Sequence, residues 1–67
     1  MMSDIAQEVQ EQVARIREMM TETTVMFPNR NINFSIYNII LNRAEKAIRE
    51  QDAVSLVKLL PELQGMD

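Results

Sequence analysis

From Ala6 to Phe27 the core-type positions recur at alternating steps of three and four: Ala6, Val9, Val13, Ile16, Met20, Thr23 and Phe27. That spacing is the seam of a helix that packs along its whole length. Ile5 joins the same face, while Glu8, Glu11, Arg15, Glu18 and Glu22 flank or oppose it. Ser3 or Asp4 caps the start, and Asp4 and Glu8 suit the positive end of the helix dipole. The pattern predicts a first helix over about 4–26, roughly 34 Å long at ~1.5 Å per residue. A helix of that length reaches beyond a compact domain of this size. Thr23, Thr24 and Val25 lower helix propensity at its end.

The rhythm breaks at "FPNRN". Pro28 has no backbone N–H and pushes Phe27 out of helical angles. Asn29 and Asn31 are turn formers. A turn over 27–32 is therefore expected, with Asn31, Asn33 or Ser35 as the next cap. Phe34, Tyr37, Leu41, Ala44 and Ile48 then restore the three–four steps, and Ile36, Ile40 and Ala47 widen the stripe. Asn38, Asn42, Glu45, Lys46 and Arg49 form the wet side, and Ile39 falls beside Arg43, off the stripe. "INFSIYNII" is rich in strand-favouring residues, but the helical spacing persists to Ile48 and predicts a second helix over about 33–51. Asp52 caps a third, "AVSLVKLL" over 53–60, with an apolar arc wide enough to demand cover. Pro61 and Gly65 then act as stop signals, with a frayed tail over 65–67.

The segment "AIREQDAVSLVKLLPEL" resembles the helix–turn–helix rhythm of ankyrin-type and other α-repeat units. It does not recur along the chain and reads as a generic αα-corner. The expected fold is all-α: an antiparallel helical hairpin of two long helices plus a short C-terminal third helix. Short connections favour antiparallel neighbours. The two long seams are comparable, so the hairpin is expected to double into a four-helix-type bundle as a homodimer.

Composition sharpens this picture. The 67 residues make one small domain, and the chain has neither cysteine nor histidine. Disulfides, thiolate metal sites and the commonest general base are thereby excluded. Oligomerisation is left as the usual support for so small a core. Net charge is −3, which disfavours a phosphate backbone as partner. The charge is unevenly spread: residues 1–27 and 50–67 are acidic, whereas 28–49 carry Arg30, Arg43, Lys46 and Arg49 against Glu45. Mutual attraction of an acidic helix 1 and a basic helix 2 is the expected consequence.

No apolar run is long enough to span a membrane. "MMSDIAQEVQ" lacks the basic and apolar regions of a secretory leader, so the cytoplasm is the expected location. Asn33-Phe34-Ser35 matches a glycosylation acceptor, a coincidence in that setting.

Candidate chemistry is sparse. Glu8, Glu11, Glu18 and Glu22 point away from the seam and are interleaved with Arg15, as on a solvated face. Ser3, Ser35 and Ser55 have no histidine to activate them. The single glycine, Gly65, cannot build a phosphate-binding loop. No catalytic residue, cofactor or metal site is therefore expected.

Binding is the remaining function. Methionine lines adaptable surfaces as readily as it fills cores. Met20, Phe27, Phe34 and Tyr37 lie on the seams and are expected to pack into the hairpin end. Met19, Met26 and Ile39 are left over and become the candidate protein-binding residues. The competing expectation is a nucleic-acid-binding regulator that uses Asn38, Asn42, Arg43, Lys46 and Arg49. A third is a structural subunit stable only within a larger complex.

Overall fold

The computed structural model describes residues 3–66. They form three helices and no strand: α1 (Ser3–Met26), α2 (Ser35–Glu50) and α3 (Ala53–Gln64). The Ser3 side chain, one of the two expected caps of α1, and Asp67 lie outside the described part.

α1 stays helical through its threonine-rich end, where the hydroxyls bond back along the helix. The hydroxyls of Thr21, Thr23 and Thr24 each donate to the carbonyl four residues earlier, on Arg17, Met19 and Met20. The break falls at Phe27, and the N–H of Arg30 donates to the Phe27 carbonyl to make the turn. α2 begins at Ser35, two residues later than the spacing suggested. Asn33 lies before it, where its Oδ1 accepts from the Ser35 N–H at 2.9 Å. The strand-like "INFSIYNII" is helical from Ser35 onward.

The α2–α3 connection is tight. Gln51 adopts left-handed angles (φ 55°, ψ 41°). Its N–H donates to the Ile48 carbonyl, and that of Asp52 to the Ala47 carbonyl, so two of the four orphan acceptors of the helix end are satisfied. Asp52 then caps α3: its carboxylate accepts from the Ser55 N–H at 3.2 Å and the Ser55 hydroxyl at 2.7 Å.

The core is built from Val9, Val13 and Ile16 of α1, Leu41, Ala44 and Ala47 of α2, and Leu56, Leu59, Leu63 and Met66 in and after α3. Among the described residues no polar or charged side chain is buried. Position along α1 and α2 runs in opposite senses: Thr24 and Val25 lie by Phe34, Arg17 pairs with Glu45, and Gln10 lies by Arg49. These two helices are therefore antiparallel.

Three expectations change. α3, expected as a short addition to a two-helix hairpin, packs against α1 more extensively than α2 does, because its wide apolar arc needs a long surface to cover it. α3 also continues past residue 60 to Gln64, with Pro61 inside it. A proline inside a helix costs about 3 kcal/mol. Burial of Leu63 and Met66 returns roughly 1.5–3 kcal/mol each, enough to carry the helix on. For the same reason the tail is not frayed at Gly65–Met66, since Met66 belongs to the core. The molecule is elongated, 44 × 19 × 17 Å.

Candidate functional site

The core occupies one end of the molecule. On α1 it closes with Met19 and Met20, and on α2 with Tyr37, all partly buried against it. Past that level the side chains lie open: Val25, Met26 and Ile36 are each about 70% exposed, Ile39 52% and Phe27 44%. The seam residues expected to seal the hairpin end do so incompletely. Phe27 sits outside, with the Arg30 guanidinium 5.4 Å from its ring centroid, a cation–π placement. Phe34 and Tyr37 are half-buried and lean on each other at 5.9 Å between centroids. The reason is that two helices meet here without a third to close over them.

Of the three residues left over from the seams, Met26 and Ile39 stand exposed. Met19 is the exception, since it is partly covered by the chain's own core.

Asn38, Asn42, Arg43, Lys46 and Arg49 are all exposed on α2. The structure mixes acids among these cations. Arg43 and Lys46 line a shallow groove of about 350 Å³ between α2 and α3, together with Lys58, Glu50, Asp52 and Glu62. Arg17 of α1 pairs with Glu45, the one acid in the middle of the basic stretch. The polarity is the reverse of the expected one, since a cation of α1 meets an anion of α2 through half-exposed side chains. The Asp52 carboxyl is held below its ordinary value, first by the Ser55 hydroxyl and then by the Ser55 N–H, both of which donate to its charged form.

Glu8, Glu11, Glu18 and Glu22 are exposed. Among the described residues no three acids come together as a metal cluster would require.

Arg15 takes a role that its spacing did not signal. Its Nη2 donates to the carbonyls of Leu63 at 3.0 Å and Met66 at 3.1 Å, and its Nε to Gln12 at 2.9 Å. The guanidinium thus caps the C-terminal end of α3, where a cation complements the helix dipole. The partner lies 48 and 51 residues away in sequence, beyond the reach of any local pattern.

Comparison with known proteins found no matching family model, no matching curated protein and no matching solved structure. Among the described residues no helix is long and apolar enough to cross a membrane.

Proposed function

We propose that this protein is a small, non-enzymatic protein–protein interaction module of the cytoplasm. It acts as a regulator or adaptor through helix-face packing, as a homodimer and with another protein. The observation that supports this is the apolar surface: Val25, Met26, Phe27, Ile36 and Ile39 stand exposed around the α1–α2 turn of a chain of 67 residues. Apolar surface gathered at one end of a small domain is the mark of an interaction site.

Affinity capture from the source cells, read by mass spectrometry, tests the reading. The wild type is expected to retain a specific protein that Met26→Asp/Ile39→Asp loses. Both side chains are open to solvent, so the fold is expected to survive the change. Capture profiles that do not differ from a tag-only control would remove the proposal.

A second reading, nucleic-acid binding through Asn38, Asn42, Arg43, Lys46 and Arg49, is supported by their common exposure on α2. Glu50, Asp52 and Glu62 along the same groove oppose it. Titration of labelled duplex and single strands at low salt is its most favourable case, and no binding there ends it.

A further inference from the structure

Beyond the end of α3, the α1–α2 pair keeps the side that α3 would cover if it were longer. On α1, Arg15 bonds the last carbonyls of α3. Met19 and Met26 follow Arg15 by four and eleven residues, and so share its face. On α2, Arg43 lines the groove against α3. Ile36 and Ile39 precede it by seven and four residues, again on its face. α3 has 12 residues against the 24 of α1. The result is a bare two-helix surface, bordered by Met19, Met26, Ile36 and Ile39, at and past the point where α3 stops.

The charges say what fits there. Seventeen Asp, Glu, Lys and Arg residues are present in the chain, but from Met19 to Asn42 only Glu22 and Arg30 carry charge. Depletion of charge, with aromatic residues, methionine and arginine retained, is the composition of an interface core. The segment is also neutral, although the chain as a whole carries −3. Two copies can therefore meet at this surface without opposing like charges, and each offers one acid and one base to the other. A stable interface needs roughly 800 Å² per partner, about a sixth of the 4937 Å² surface of the chain.

We infer that this surface is filled by the same surface of a second copy. The two α1–α2 ends stack face to face in a two-fold, self-complementary contact. They form a four-helix bundle at the centre of the dimer, and the α3 helices lie at its outer ends. The inference rests on the reading of the chain as a helix-face binding module and names the face it uses on itself.

Light scattering at tens of micromolar tests it, with circular dichroism of each variant to verify the fold. The wild type is expected at about twice 7.8 kDa. Ile36→Lys/Ile39→Lys is expected to raise the dimer dissociation constant at least about tenfold and to run as a monomer. Val57→Lys, on exposed α3 surface, is expected to remain dimeric. A monomeric wild type overturns the inference, as does a dimer that Ile36→Lys/Ile39→Lys leaves intact. Capture by the same double variant separates the two proposals. A monomer whose partner protein is lost in Ile36→Lys/Ile39→Lys refutes self-association and keeps the binding module. A monomer that captures nothing refutes both.

Discussion

Gln51 and Gly65 exchange the roles that their residue types suggest. Gln51 holds the left-handed turn with φ 55°, a conformation that costs a side-chain-bearing residue about 1 kcal/mol. Gly65, expected as a helix stop, has φ −86° and uses none of its freedom. Gln51→Gly is therefore expected to stabilise the fold by about 0.5–1 kcal/mol, seen as a higher Tm. Asp52 makes a different kind of prediction. Its carboxyl lies below its ordinary value because Ser55 bonds the charged form. Such a group contributes stability above its unfolded pKa and loses it as pH falls through the folded one. Asp52→Asn is expected to lower Tm at neutral pH and to flatten the loss of stability below about pH 4. Thermal melts of both proteins across that range check it.

At the scale of the element, each helix was legible to the extent that local rules decide it. The seam of α1, the break at Pro28 and the Asp52 cap all follow from spacing and backbone chemistry. The end of α3 does not, because a proline there argues for a stop and only the burial of Leu63 and Met66 overrules it. Pro61→Ala restores the missing donor and removes the ring clash. It is expected to raise stability by about 1–2 kcal/mol, measurable by urea unfolding. A fall in stability would show that the proline is suited to its place. Arg15 belongs to the same lesson. It read as one charge on a wet face, yet it caps a different helix across the fold.

In the whole molecule the core and the candidate binding surface occupy opposite ends. Substitutions should therefore divide by position. Leu56 is fully buried, and Leu56→Ala is expected to cost about 2–5 kcal/mol, a large share of the ~5–15 kcal/mol that holds a typical domain folded. Ile36 is 70% exposed, and Ile36→Ala is expected to change unfolding of the monomeric chain by about 0.5 kcal/mol or less. Denaturant curves at low concentration would distinguish them.

The sequence by itself determined the three helices and their apolar faces, because periodicity, proline and capping act within a few residues of one another. It also singled out Met19, Met26 and Ile39 as side chains that the two seams leave over. Only the tertiary structure decided how far the third helix reaches. That length determines which apolar residues find cover and which do not. It buried Met66, drew Met19 partly into the core, and left Met26 and Ile39 in the open. Cover is supplied by segments distant in sequence, so no local pattern could have assigned it.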